Sequence, residues 1–328
     1  MTNKRKTLLS GVKPTGASHI GNYFGAMKQF VDLQGDYGRI LIFIADYHAL
    51  NNVQNREEMN NNIYEIALDY LAIGLDPKNV TIFKQSDIPQ HSELAVIFNS
   101  ITTMSYLMRA HAYKDAQARS KEISVGTFDY PMLMAADILM YDADVVPVGQ
   151  DQKQHIEITR DIAEKFNRIF GETFKIPEPL ILEKVAAVPG IDGQKMSKSY
   201  NNIIPLFAED DEIDKLAMSI VTDSKGVEDV KDPESDNVFA LHKLFSKEQL
   251  SDLEKRYKEG SIGYKESKEI LAENIKKIIK PLREKRKKLE KDSEYVLDIL
   301  REGRDKMRAR AEKKMQEVRD KIGTKLYE

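Results

Sequence analysis

Short apolar runs alternate with stretches of helical period along the first half of the chain. Thr7-Leu8-Leu9-Ser10-Gly11 reads as a buried strand. Ile40-Leu41-Ile42-Phe43-Ile44-Ala45 is continuously apolar, which suits a parallel strand covered on both faces. Between them, 20–33 sets Phe24, Met27 and Val31 on one helical face. A second helix starts at Asn55, with Glu58 three residues on as a capping box. Met59, Ile63, Ile66, Ala67, Tyr70 and Leu71 follow at the 3.6 period, and Gly74 ends it. Val80-Thr81-Ile82-Phe83 and 144–149 read as further strands, and 151–170 as a helix. The segment 128–141 reads as a helix with Pro131 in its first turn. This alternation predicts an α/β fold, a Rossmann-like doubly wound parallel sheet.

From about Leu206 the strand signals fade and charged, helical segments take over. The expected organisation is a catalytic domain at 1–199, a helical domain at 200–294 and a C-terminal helix at 295–328, free to pack back on the first domain. Gly303 is expected to interrupt that last helix.

Composition narrows the chemistry. With 328 residues the chain can bury a large core, and its net charge of -3 rules out a uniformly basic nucleic-acid binder. There is no cysteine, so disulfides, thiolate-ligated metals and thiol nucleophiles are excluded. The six histidines show no metal-ligand spacing. No apolar run is long enough to span a membrane and none follows the basic N-terminus as a signal peptide would, so a cytoplasmic protein is expected.

Two segments carry chemistry. Pro14-Thr15-Gly16-Ala17-Ser18-His19-Ile20-Gly21-Asn22 joins a strand end to a helix start, where free backbone N–H groups attract phosphate. Gly21 lets a flat ring approach the backbone. His19 and Asn22 can donate to phosphate or ribose, although a histidine there also serves as a helix cap. Asp192-Gly193-Gln194-Lys195-Met196-Ser197-Lys198-Ser199 supplies two lysines three residues apart, suited to the charge that grows on a departing pyrophosphate. Asp137 shares a helical stripe with Met134, Ile138 and Tyr141. A carboxylate on an apolar stripe needs a donor. The ordinary partner is a local salt bridge, and an indole N–H on an apolar ligand is the functional alternative.

The two segments resemble the signatures of class I aminoacyl-tRNA synthetases. Asp46-Tyr47-His48-Ala49, Leu133-Met134-Ala135-Ala136-Asp137-Ile138-Leu139, Val146-Pro147-Val148-Gly149 and Asp151-Gln152-Lys153-Gln154-His155 narrow the likeness to bacterial-type tryptophanyl-tRNA synthetases over nearly the whole length. The resemblance implies ATP and Mg²⁺, L-tryptophan and tRNA(Trp) as ligands, and a homodimer, with no DNA or membrane partner. It implies that Asp137 accepts the indole N–H, with Met134, Val146 and Val148 against the ring and Tyr130, His48 and Gln152 near the amino and carboxylate groups. Gly21, Asn22, Gly149, Gln150 and Asp151 would hold adenosine, the backbone near Ala187 and Val188 the adenine, and Lys195, Met196, Ser197, Lys198 and Ser199 the phosphates. Lys13, Pro14 and Thr15 join the ATP set, and Lys195, Lys198, His19 and Asn22 the catalytic one. Lys13 stands where the family usually has glutamine, and Leu9 where an aromatic is common. Lys114, Lys121 or Lys13 is left to supply a phosphate lysine that the family often carries after Asp115.

The basic run Lys276, Lys277, Lys280, Arg283, Lys285, Arg286, Lys287, Lys288 and Lys291 fits tRNA phosphate contact or a solvated helix face. A tyrosyl-tRNA synthetase and a non-catalytic RNA-binding paralogue remain as other readings. The pattern at 146–155 favours tryptophan, and the intact lysines and His19 favour catalysis.

Overall fold

The computed structural model describes residues 6–118, 122–149, 152–181 and 188–327. Five strands, β1 (Thr7–Val12), β2 (Arg39–Ile44), β3 (Val80–Lys84), β4 (Val145–Val148) and β5 (Glu178–Ile181), form one parallel sheet in the order β3-β2-β1-β4-β5. The first four coincide with the apolar runs. β5 carries no comparable signal, because its residues Glu178-Pro179-Leu180-Ile181 leave only two apolar aliphatic positions in a row. A proline survives there because the strand lies at the sheet edge. Strand order reverses between β1 and β4, which opens a crevice at their carboxyl ends.

The helices are, in chain order, α1 (Ile20–Asn22), α2 (Lys28–Leu33), α3 (Asp46–Ala49), α4 (Arg56–Ala72), α5 (Gln90–Ile101), α6 (Met104–Leu107), α7 (His111–Ala118), α8 (Val125–Leu139), α9 (Lys153–Phe170), α10 (Asp210–Ser219), α11 (Asn237–Phe245), α12 (Leu250–Glu259), α13 (Tyr264–Glu290) and α14 (Ser293–Lys321). None of those described is long and apolar enough to cross a membrane. Asn55 caps α4 by accepting from the Glu58 backbone N–H at 3.0 Å, as its sequence implies.

Three local expectations are corrected. The stretch 20–33 is not a uniform α-helix: Tyr23–Met27 forms a π-helical turn between α1 and α2. Such a turn is a common device beside functional sites, and here Gly25 and Ala26 face the crevice. α8 starts earlier than its apolar stripe suggests, capped by Ser124 Oγ on the Thr127 N–H, so Pro131 sits inside the helix rather than in its first turn. α14 runs unbroken through Gly303. That glycine serves close packing instead, because a Cβ there would lie 1.9 Å from the carbonyl oxygen of Ile82 on β3. Further along α14, Arg319 grips both oxygens of Glu93 on α5 at 2.8 and 2.6 Å.

The basic run on α13 is largely spoken for. Arg283 is buried and donates to the Ala208 carbonyl and to Asp210. Arg286 binds Asp69 at 2.9 Å together with Glu65 and Glu290. Lys276 pairs with Asp214 at 2.6 Å and Lys287 with Glu209 at 2.7 Å. Arg283 and Arg286 are therefore structural cations, and the expectation that they track RNA phosphates is withdrawn. Lys280, Lys285, Lys288 and Lys291 stay exposed.

Gly303→Ala should cost about 1–3 kcal/mol of stability by overpacking α14 against β3. Denaturant unfolding of the variant would measure it, and wild-type stability would mean the helix can shift freely.

Candidate active site

Two cavities meet at the crevice. The first, of about 410 Å³, is lined by β1 residues Leu9 to Val12 and the adjoining Lys13, by Val146, Pro147, Val148 and Gly149 at the end of β4, by Tyr130, Met134, Asp137 and Ile138 on α8, and by His48 and Gln152. All seven side chains expected around a tryptophan line it. Phe43, Ala45 and Phe30 join them without having been expected. Gly11 is fixed by one of these neighbours, since a Cβ there would lie 2.6 Å from the Phe43 ring.

The second cavity, of about 390 Å³, brings the two signature segments together: Thr15, Gly16, Ser18, His19 and Asn22 from one, with Lys13 just before it, and Ser197, Lys198 and Ser199 from the other. Val12 and Lys13 line both cavities. Lys13 is a shared wall, its Nζ 5.7 Å from the centre of the Tyr130 ring, and burial lowers its pKa. Lys198 Nζ donates to the Thr15 carbonyl at 2.9 Å, which ties one signature to the other. Burial lowers its pKa too, against the opposing charge of Asp69. His19 is pushed down to about 4, by burial first and then by Lys198. Its ring is thus uncharged near neutral pH, and Nδ1 is buried without a hydrogen-bond partner among the described residues. Asn22 Oδ1 accepts from the His19 backbone N–H at 3.2 Å and holds the turn.

Other expected residues lie apart from the cavities. Met196 is buried in the core and anchors its loop there, while Lys195 is exposed on the loop surface. Pro14 is buried, and Gly21 packs against His19 and Met196. Val188 pairs through its carbonyl with the Met196 N–H at 2.9 Å. Lys114 lines neither cavity. Gln150, Asp151, Ala187 and Lys121 lie outside the described residues. Two organisers were missed. Asn202, almost fully buried, holds the lysine loop by accepting from Ser197 N–H at 2.8 Å and donating to Asp192 at 2.7 Å and to the Lys195 carbonyl at 3.2 Å. Asp69, three turns into α4, accepts from Ser18 Oγ at 2.5 Å beneath the first signature. A polar residue in an otherwise apolar helical stripe was the available signal for Asp69; Asn202 had none.

Asp137 has no solvent exposure. His48 Nε2 reaches it at 2.8 Å, Gln85 Nε2 at 2.8 and 2.9 Å, and His91 Nδ1 completes the set. Burial alone would raise its pKa. The hydrogen bonds from His48 and His91 outweigh burial and bring it below the usual carboxylate value. His48 thus both lines the cavity and bonds Asp137. No group of three or more acidic or histidine side chains suited to a metal occurs among the described residues, and the second cavity is lined by no carboxylate. The described residues of this cavity do not by themselves form a donor set for Mg²⁺.

Comparison with known proteins gives the context of this geometry. Residues 1–280 match the family model of class I tRNA synthetases for tryptophan and tyrosine. The chain is 50% identical to a tryptophan–tRNA ligase of Fusobacterium nucleatum, over 97% of this chain and 98% of that one. It superposes with a TM-score of 0.89 on the crystal structure of Campylobacter jejuni tryptophanyl-tRNA synthetase in complex with ADP and tryptophan, 44% identical and covering 97% of this chain and 99% of that one. A tyrosyl-tRNA synthetase from Archaeoglobus fulgidus, 20% identical with a TM-score of 0.69 over 86% of this chain and 91% of that one, shares the fold. The chain belongs to the class I tRNA synthetases for tryptophan and tyrosine, in the bacterial-type tryptophanyl branch.

Proposed function

We propose that this tryptophan–tRNA ligase binds the amino acid in the first cavity and ATP across the second, with the reacting atoms meeting at Lys13. The observation that carries this reading is that the two cavities share Val12 and Lys13. A carboxylate held in one is thereby brought beside a phosphate held in the other, and such positioning is a large part of the rate.

In the first step a carboxylate oxygen of tryptophan attacks the α-phosphorus of ATP. The bond to the β-phosphate breaks and pyrophosphate leaves. Lys198 and Lys195 stabilise the charge on the leaving group, with Ser197 and Ser199 beside them. His19 donates a ring N–H to the phosphates and Asn22 keeps that turn in shape. Mg²⁺, brought with ATP, would offset the charge of the phosphates beside Lys198, Ser197 and Ser199. In the second step a hydroxyl of the terminal tRNA ribose attacks the acyl carbon and AMP leaves.

Asp137 accepts the indole N–H, Met134, Val146 and Val148 enclose the ring, and Tyr130 and Gln152 lie nearer the reacting end. The helical region, 200–294, meets the tRNA through the exposed lysines of α13. Val96, Met104, Met108 and Val125, apolar and exposed around α5, α6 and the start of α8, support a homodimer. Aminoacylation serves protein synthesis, so the same reading places the enzyme in the cytoplasm.

Pyrophosphate exchange with each of the twenty amino acids tests the whole reading, and tryptophan alone should support fast exchange. Exchange driven best by tyrosine would overturn the assignment of the cavity.

Alanine at Lys195 or Lys198 should slow adenylate formation by about two to three orders of magnitude, as for loss of one charge-stabilising group. Tryptophan affinity should change little. Single-turnover rates equal to wild type in both variants would remove the loop from the mechanism.

Asp137→Ala should weaken tryptophan by about one to two orders of magnitude, the value of a hydrogen bond to a charged group, while ATP binding stays near normal. Equilibrium binding of each ligand to the folded variant checks this. Unchanged tryptophan affinity would show that the indole nitrogen finds its acceptor elsewhere.

Charge reversal at Lys285 and Lys288 together should weaken tRNA binding and flatten its dependence on salt, with adenylate synthesis intact. An unchanged salt slope would leave these lysines as a solvated face.

A further inference from the structure

Behind the wall of the tryptophan cavity stand three side chains that touch neither the cavity nor solvent. Gln85, His91 and Tyr141 are each 0% exposed, and none lines the cavity. Gln85 and His91 bond Asp137, and Tyr141 backs His91. Gln85 Nε2 reaches both carboxylate oxygens, and its own Oε1 accepts from the Tyr47 backbone N–H at 3.1 Å, so its amide is held from both ends. His91 bonds Oδ1 through Nδ1, and its Nε2 lies 2.6 Å from the Tyr141 hydroxyl. Phe43 and Tyr141 flank the imidazole, with centroids 6.4 and 5.4 Å away. Arg310 on α14 donates to the Tyr141 backbone carbonyl and so ties down the outer end of the chain of contacts.

The roles along this chain follow from what each group can do. An ionised carboxylate only accepts, so His91 Nδ1 carries the hydrogen it shares with Oδ1. Tyr141 then donates its hydroxyl hydrogen to Nε2. Burial, and next the charge of Asp137, raise the phenol pKa well above its usual value, so that hydrogen is retained. The bond made by one ring nitrogen fixes the role of the other. Oδ1 is thereby committed to His91 and Gln85. Oδ2 is shared by Gln85 and His48, and of the donors to Asp137 only His48 lines the cavity. A carboxylate offers about four lone-pair sites, and these contacts fill them. An incoming N–H must therefore displace one donor. His91 and Gln85 are sealed behind the wall and would be left buried without an acceptor, whereas His48 faces open space.

We propose that His91, backed by Tyr141, is a positioning residue for amino-acid selection: it holds Asp137 turned so that Oδ2, the oxygen on the His48 side, meets an N–H in the cavity. His91 thereby sets how strongly tryptophan is preferred to a ring system of the same size that has no N–H. The proposal rests on the assignment of Asp137 as the indole acceptor. Outer partners of this kind act through the group they orient, and their loss affects selectivity rather than only stability.

The test compares kcat/KM in pyrophosphate exchange for tryptophan and for its benzothiophene analogue, in which sulfur replaces the indole N–H, using the full chain. Wild type should prefer tryptophan by about one to two orders of magnitude. His91→Leu should lower that ratio by at least about tenfold, through the KM for tryptophan, with the KM for ATP unmoved. His91→Asn, which returns an N–H donor close to the position of Nδ1, should restore most of the ratio. Tyr141→Phe should lower it in the same direction by a smaller factor. A ratio unchanged in His91→Leu, or in Tyr141→Phe if the first variant does not fold, would reduce these side chains to packing and overturn the proposal. A ratio in folded His91→Asn as low as in His91→Leu would overturn the donor role. A wild type that accepts both substrates equally would instead remove Asp137 as the indole acceptor.

Discussion

A carboxylate without any contact with water has to be answered at every lone pair, and Asp137 imposes that requirement on the catalytic half of the molecule. Its desolvation would cost several kcal/mol if it stood alone. Donors have to arrive from three separate parts of the chain: His48 from α3 after β2, Gln85 from the turn after β3, and His91 from α5. The carboxyl ends of β2 and β3 and the faces of α5 and α8 are therefore held in one register around a single charge. Each element also carries apolar surface, but apolar surface alone does not choose a register to a fraction of an ångström.

The crevice at the β1–β4 reversal opens beside that charge. The topology leaves open space where strand order changes direction, and the two ends of the chain's chemistry arrive there from opposite sides. The first signature follows β1 directly. The lysine loop comes from far along the sequence and is seated by Met196 in the core, by Asn202 across its neck and by Lys198 on the Thr15 carbonyl. The π-helical turn at Tyr23–Met27 brings Gly25 and Ala26 to the same space.

The helical half is coupled to this site through charge as well as through apolar packing. Asp69 sits under the first signature, bonded to Ser18 on one side and to Arg286 of α13 on the other. Burial raises its pKa, and the bonds from Ser18 and Arg286 work against that rise. Removing either partner would leave a poorly compensated charge next to the first signature. The same economy explains why a run of cations on α13 contributes less basic surface than its composition suggests: its inward-facing arginines are consumed by the carboxylates they hold.

The sequence by itself determined the α/β alternation, four of the five strands and the helical second half, because period and apolar runs are local properties of the chain. It also singled out most of the side chains that line the second cavity, since the spacing of small, basic and hydroxyl residues in the two signatures is itself local, whereas the seven expected in the first cavity came from the likeness to the synthetase family and Phe30, Phe43 and Ala45 were not among them. Only the tertiary structure decided what depends on groups distant in sequence. Gly303 looked like a helix break and is a close approach to β3. Arg286 looked like an RNA contact and is the counter-charge of Asp69. His48 is expected beside the ligand from the family likeness alone, and its bond to Asp137 shows only in the fold. In each case the residue's local pattern is compatible with several partners. The partner is chosen by which charge or backbone atom the fold buries beside it, and burial is a property of the assembled molecule, written at no single position of the chain.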